Sequence, residues 1–180
     1  IYNEKLIDLG NIIHEKRRLF TEIYKKIFKS YYFLISENKE SVEINFKSQL
    51  NNNNYKDLIK DSLERDLIFQ FTTQGPHKDD LELLLNGYQI KKFGSQGQQK
   101  SLLISLKLAQ YEFLKKKLDI KPILLLDDIF DKLDQKRVEL IMQLIEEKYF
   151  GQIFITDTDK KRVSNAIETT NLSYKIHEIF

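Results

Sequence analysis

Apolar residues recur over the first 35 positions at Leu6, Leu9, Ile13, Phe20, Ile23, Ile27, Tyr31 and Leu34, at spacings of three, four or seven. Such spacing keeps one stripe of a helix apolar, so it predicts a single long helix. Alternation then takes over. Val42, Ile44 and Phe46 are separated by polar residues and predict a strand, followed by a polar loop at 51–54 and a shorter helix over about 55–66. Gly75-Pro-His-Lys-Asp-Asp80 reads as a turn, because proline holds φ and the glycine before it permits unusual backbone angles. Residues 81–85, an Asn86-Gly87 turn and residues 88–92 predict a β-hairpin.

Beyond Ser95 the pattern predicts a helix of about 22 residues, and Pro122 introduces a strand at 123–126. That strand is uniformly apolar, as strands covered on both faces of a parallel sheet are. A helix over 134–148, a strand at 152–156, a helix over 159–168 and a last strand at 172–179 complete an alternation that predicts an α/β fold with a parallel-sheet core. The change of pattern divides the chain into a helical arm-like segment, 1–70, and a lobe, 71–180.

With 180 residues of which 41% are hydrophobic, the chain is long enough to bury a core. Lys and Arg number 29 against 27 Asp and Glu, a net charge of +2, so attraction to nucleic acid has to come from local clustering. Lys16, Arg17, Arg18, Lys25, Lys26 and Lys29 on the first helix form such a cluster and are the DNA-binding candidates, although a solvated helix face accounts for the same pattern. The absence of cysteine excludes a disulfide scaffold, a thiolate zinc site and cysteine catalysis, and it agrees with a reducing, cytoplasmic setting. No run reaches the roughly 18–20 apolar residues of a membrane span, and Glu4, Lys5 and Asp8 interrupt any signal-like start. Helical patterning begins at once after Ile1, as it would in a chain that starts inside a longer protein.

Ser95 and Gln98 make a Ser-x-x-Gln capping box at the start of the longest lobe helix. A helix N-terminus attracts anions, and Gly97 leaves room for a phosphate oxygen to approach the backbone, yet a capped helix without a ligand would look the same. Asp127 and Asp128 close the apolar strand at the carboxyl edge, where open α/β sheets bind ligands. One can face Mg²⁺, which takes one or two carboxylates with phosphate oxygens and waters, and the other can orient or deprotonate water. Two turn aspartates are the alternative. Asp134 is placed to N-cap the next helix, and Thr156 ends the next strand within reach of a phosphate. His77 stands alone in its turn and, with Lys78, is more simply a structural or surface residue.

In combination, Gly75-Pro-His-Lys-Asp-Asp80, Ser95-Gln-Gly-Gln-Gln-Lys100, Leu106-Lys-Leu-Ala-Gln110, Leu125-Leu-Asp-Asp128 and Leu133-Asp134 resemble the ATP-binding-cassette superfamily. Within it they resemble the C-terminal half of the RecF family of bacterial recombination mediators, over nearly the whole chain. The resemblance implies the C-terminal half of an ATPase head plus part of an arm domain. It implies that Ser95, Gln96, Gly97 and Gln98 are a signature motif capping the γ-phosphate of ATP bound to the opposite subunit. Asp127 then corresponds to the Walker B carboxylate on Mg²⁺, Asp128 to the catalytic carboxylate, Asp134 to the D-loop and Thr156 to the neighbourhood of the switch position. No Gly-x-x-x-x-Gly-Lys-Ser/Thr loop occurs, so the cradle for the α- and β-phosphates is missing and the chain alone is expected to be inactive. For the whole protein the resemblance implies an ATP-dependent homodimer on gapped or junction DNA, work with RecR and RecO, and RecA loading. Two alternatives stand beside it. One is an interaction lobe without catalysis from another SMC-like ATPase. The other takes Asp127-Asp-Ile-Phe-Asp131 as the helix-borne diphosphate motif of prenyl-transfer enzymes.

Overall fold

The structure is a computed structural model that describes residues 2–147 and 150–178. The predicted opening helix is present as α1, Tyr2–Ile35. Contacts gather the chain into two compact units that interleave along the sequence: Ile1–Lys26 with Glu43–Leu84, and Ile27–Val42 with Leu85–Phe180. Residues 71–84, assigned by pattern to the lobe, thus group with the first unit. Chain order alone cannot reveal this, because α1 supplies residues to both units.

The first unit contains the start of α1, all but the first residue of strand β1 (Val42–Lys47), helix α2 (Tyr55–Phe69) and all but the last residue of strand β2 (Asp80–Leu85), with β1 beside β2. Its small core is Leu50, Tyr55 and Ile59, with Ile7 and Leu58 packed against it. Tyr55 determines much of the local sequence. A Cβ at Gly10 would lie 2.2 Å from its ring, and one at Gly75 would lie 2.2 Å from its hydroxyl. Gly75 also sits at φ 129°, which an L side chain rarely adopts. The Gly-Pro turn is tied down further by Arg17, which donates to the Pro76 carbonyl and, at 2.9 Å, to Asp79. His77 Nε2 hydrogen-bonds the Thr72 carbonyl at 2.8 Å. Helix α2 runs three residues past its predicted end at 66. Asp66 does not stop it, because its carboxylate accepts the Ser62 hydroxyl and the Thr73 amide, both at 2.9 Å.

The second unit holds the end of α1, strand β3 (Tyr88–Gln89), helices α3 (Ile90–Phe93) and α4 (Gln96–Leu118), strand β4 (Leu124–Asp127), helix α5 (Gln135–Glu147), strand β5 (Ile153–Thr156) and helix α6 (Lys160–Glu168). Strands β4 and β5 pair in parallel, Leu124 opposite Ile153 and Asp127 opposite Thr156, so a crossover through α5 is required. The core joins Phe28, Tyr32 and Ile35 with Ile104 and Leu108 of α4, Leu126 of β4, and Ile141 and Met142 of α5, all at most 1% exposed.

The pattern misleads at three places in the chain. The second arm of the hairpin stops at Gln89, because Ile90 turns inward, buried, and residues 90–93 close a helical turn onto Gly94. Strand β4 is covered on one face: Leu124 and Leu126 are buried, whereas Ile123 and Leu125 are 59% and 61% exposed, and Phe154, opposite Leu125, is 51% exposed. Its continuous apolar run describes a strand with two covered faces, but this chain supplies only one cover. The last predicted strand is absent over 172–178, which stay largely exposed and form no regular element; Ile179 lies outside the described residues.

Candidate nucleotide-binding site

Helix α4 begins as the sequence predicts. The Ser95 Oγ accepts the Gln98 amide at 3.2 Å, and Gln98 Oε1 accepts the Ser95 amide at 2.8 Å, which completes the capping box. Ser95 and Gln96 are exposed, and Gly97 and Gln98 are half-buried, so the amide end of the helix opens to solvent. The space that a Gly97 side chain would need is taken by the Lys132 carbonyl, 3.0 Å from a Cβ placed there. Glycine therefore lets the 131–134 turn run directly against the helix start.

Asp127 and Asp128 stand at the carboxyl end of β4, joined to β5 through Thr156. The Thr156 hydroxyl donates to Asp127 Oδ1 and accepts the Asp128 amide at 3.2 Å, while its carbonyl accepts the same amide at 2.9 Å. Asp128 has φ 48°, in the left-handed region, where a non-glycine residue is held only by its surroundings. That kink ends the strand and sends Ile129 and Phe130 into the core, both at most 2% exposed. Lys132 is also left-handed, at φ 64°. Asp134 then caps α5, accepting the Arg137 amide at 2.9 Å. The segment 127–131 thus runs from a strand into a turn, not along a helix, which removes the prenyl-transfer alternative.

Mg²⁺ at this edge would fall to Asp127, an exposed carboxylate at the strand end. Among the described residues, no group of three or more His, Asp or Glu side chains is placed to hold a metal alone. A single carboxylate is within the one or two that Mg²⁺ takes where phosphate oxygens and waters supply its other ligands.

Sequence patterning missed the side chains that join these parts. Glu40 Oε1 accepts from Gln98 Nε2 and Arg137 Nη2, each at 3.0 Å, and Glu40 Oε2 accepts from the Tyr32 hydroxyl at 2.5 Å. Arg137 also donates to Ser101 Oγ at 2.8 Å and pairs with Asp134 at 3.4 Å. Burial raises the Glu40 carboxyl, yet hydrogen bonds from Tyr32 and Gln98 and the charge of Arg137 outweigh it and hold the group below its ordinary value. Burial, then Glu40, push the Tyr32 phenol well above its usual range. One sequence signal did exist: Arg137 lies in the first turn of α5, where the helix dipole disfavours a cation unless it has a partner. Glu40 offered none, since Gln98 and Arg137 lie 58 and 97 residues away. Asp157 was also missed. Its side chain is fully buried, accepts the Asp159 amide at 2.8 Å and faces Arg162 at 3.6 Å.

The basic residues of α1 are used unequally. Arg17 serves the Gly75–Asp80 turn, Arg18 pairs with Glu15 at 2.8 Å and Lys25 with Glu22 at 2.6 Å. Among the described residues, no ion pair engages Lys16, Lys26 or Lys29.

A capped helix mouth, an acidic strand edge and a tight turn joining them, on a parallel strand pair, define the C-terminal half of an ATP-binding-cassette-type ATPase head. No protein-family model matches the chain. It is 47% identical over 176 residues to the DNA replication and repair protein RecF of Azobacteroides pseudotrichonymphae, covering 98% of this chain and 48% of that protein. To RecF of Flavobacterium johnsoniae it is 45% identical over 179 residues, covering 99% and 50%. The chain belongs to the RecF family and matches the C-terminal half of its members. It spans about half the length of the curated relatives it matches. A structure of the recombination mediator RecF with ATPrS in the RecFOR pathway superposes with a TM-score of 0.73 at 29% identity, over 89% of this chain and 45% of that one. An Smc head bound to the C-winged helix domain of ScpA, at TM-score 0.51 and 20% identity over 87% of this chain and 42% of that one, shares the fold.

Among the described residues, no helix is long and apolar enough to cross a membrane.

Proposed function

We propose that the chain is the C-terminal lobe of a RecF-type ATPase that binds DNA, dimerises on ATP and supports recombinational gap repair in the cytoplasm. The observation that carries this is the solvent-open, capped start of α4 in the same compact unit as the carboxylate pair at the end of β4. In this reading Ser95, Gln96, Gly97 and Gln98 cap the γ-phosphate of ATP held by a second copy. Asp127 takes Mg²⁺, Asp128 orients the attacking water, and Asp134 and Thr156 line the nucleotide's edge. ATP as the nucleotide is supported by the RecF relatives solved with ATP and with ATPrS. Family resemblance supports RecR and RecO as partners and RecA loading as the outcome. The identity of 45–47% to RecF proteins favours this over a lobe of another SMC-like ATPase, for which only the fold speaks.

The chain carries no phosphate-binding loop, so by itself it lacks the amide and lysine cradle that tight ATP binding needs. Isothermal titration of the 180-residue chain with Mg-ATP is expected to give no saturable heat at micromolar nucleotide. Micromolar affinity would mean that this lobe holds the nucleotide directly.

On DNA, the face of α1 bearing Lys16, Arg18, Lys25, Lys26 and Lys29 is the proposed phosphate contact. Arg17 is left out of the test, because its replacement would also loosen the Gly75–Asp80 turn. Replacing those five by glutamine in the full-length protein flattens the slope of log K against log salt by about 0.9 for each residue that meets a phosphate. An unchanged slope removes α1 from the DNA contact.

A further inference from the structure

Helix α4 and the 131–134 turn are held at their closest approach by more than backbone packing. Arg137 donates to Ser101 Oγ on α4 at 2.8 Å, approaches the Gly97 carbonyl at 3.5 Å, and pairs with Asp134 of the turn at 3.4 Å. Its remaining terminal nitrogen meets Glu40 at 3.0 Å, and Glu40 in turn takes the Gln98 amide group of the capping box. The Glu40 and Arg137 side chains are only 13% and 19% exposed. Gln98 is thus gripped from both ends: Oε1 by the Ser95 amide, Nε2 by Glu40.

A carboxylate and a guanidinium kept from water are costly unless their geometry is fully satisfied. Capping α4 does not require them, since Ser95 and Gln98 complete that box between themselves. Holding the turn against the helix does not require them either, since Gly97 already allows the Lys132 carbonyl to approach. What the pair adds is a fixed angle and register between the helix mouth and the turn, because a planar guanidinium can satisfy several partners in one geometry only.

We propose that Glu40 and Arg137 are positioning residues that set the α4 mouth against the Asp134 turn, so that both engage a second copy of the chain in a single closure. This rests on the reading of Ser95–Gln98 as the cap on a second copy's nucleotide. Neither residue touches ATP. Their loss leaves each half of the contact intact and misaligns the two.

The test uses full-length protein, with Mg-ATP affinity of the monomer and Mg-ATP-driven self-association measured separately. Arg137→Met and Arg137→Lys are each expected to weaken self-association by about 10²-fold, the scale of an ångström-sized misplacement, while monomer affinity stays within about twofold. Lysine keeps the charge but cannot make the fork. A second variant guards against simple unfolding: Glu40→Gln with Arg137→Met leaves no unpaired buried charge and is expected to recover the melting temperature but not self-association. If the double variant self-associates like the parent, or if Arg137→Lys does, the pair is a structural ion pair and the proposal falls. Ser95→Arg separates the two layers. Should it self-associate normally, the reading of the α4 mouth fails and the proposal with it; should it fail to associate while the Arg137 variants succeed, only the positioning role is lost.

Discussion

Ser95→Arg in the full-length protein is expected to abolish ATP-driven self-association and to leave monomer nucleotide affinity within about twofold, the outcome that follows from the proposed cap on a phosphate held by the other copy. Ser95 is exposed at the helix mouth, and its Oγ accepts one hydrogen bond, from the Gln98 amide. Arginine there removes a cap worth about 1 kcal/mol and places a cation at the positive end of the helix dipole, a further 0.3–1 kcal/mol or so. That total lowers stability without unfolding a domain of ordinary stability, so lost association reports the blocked mouth. Ser95→Ala isolates the cap: it costs about 1 kcal/mol in melting experiments and leaves the mouth open, so it weakens association far less. Sedimentation with and without Mg-ATP reads association, and thermal melting reads the cap. A fall in monomer affinity would place Ser95 on its own copy's nucleotide instead.

Asp128→Asn is expected to bind ATP and dimerise normally but to hydrolyse ATP about 10²- to 10⁴-fold more slowly, the usual contribution of a positioned general base. The backbone makes this substitution unusually clean. Asp128 lies at φ 48°, and asparagine is among the few side chains that enter the left-handed region readily. The amide that holds the kink, bonded to the Thr156 carbonyl and hydroxyl, is untouched. What disappears is the charge and the proton acceptor. Single-turnover hydrolysis with pre-bound Mg-ATP isolates the chemical step, and turnover within about threefold of the parent would remove Asp128 from that step.

Most of the secondary structure was legible because each signal was local. The α1 stripe, the Ser95–Gln98 box and the Asp134 cap lie within a few residues of their partners, and the structure contains all three as the pattern predicts. The failures came where a residue answers to something distant. Ile90 leaves the hairpin for the core, and 172–178 find no neighbouring strand. Ile123, Leu125 and Phe154 carry the pattern of a doubly covered sheet but are more than half exposed. The grouping of the chain by contact likewise joins residues distant in sequence, since 27–42 and 85–180 gather across a long insertion.

The order of chemical groups was written in the chain: an anion-attracting helix start, then two carboxylates at a strand end, then a capped turn, with no phosphate cradle before them. Short-range hydrogen bonding and periodicity suffice for that, because their partners are near in sequence. Folding added what locks those groups into one geometry: Thr156 tying the Asp127 carboxylate to the Asp128 backbone amide, Lys132 pressed on Gly97, and Glu40 with Arg137 binding helix mouth to turn. These partners lie 28 to 97 residues apart in the three side-chain contacts. Charge and hydrogen bonding act through space, and no periodicity records which distant residues the fold will bring to within 3 Å or so of one another.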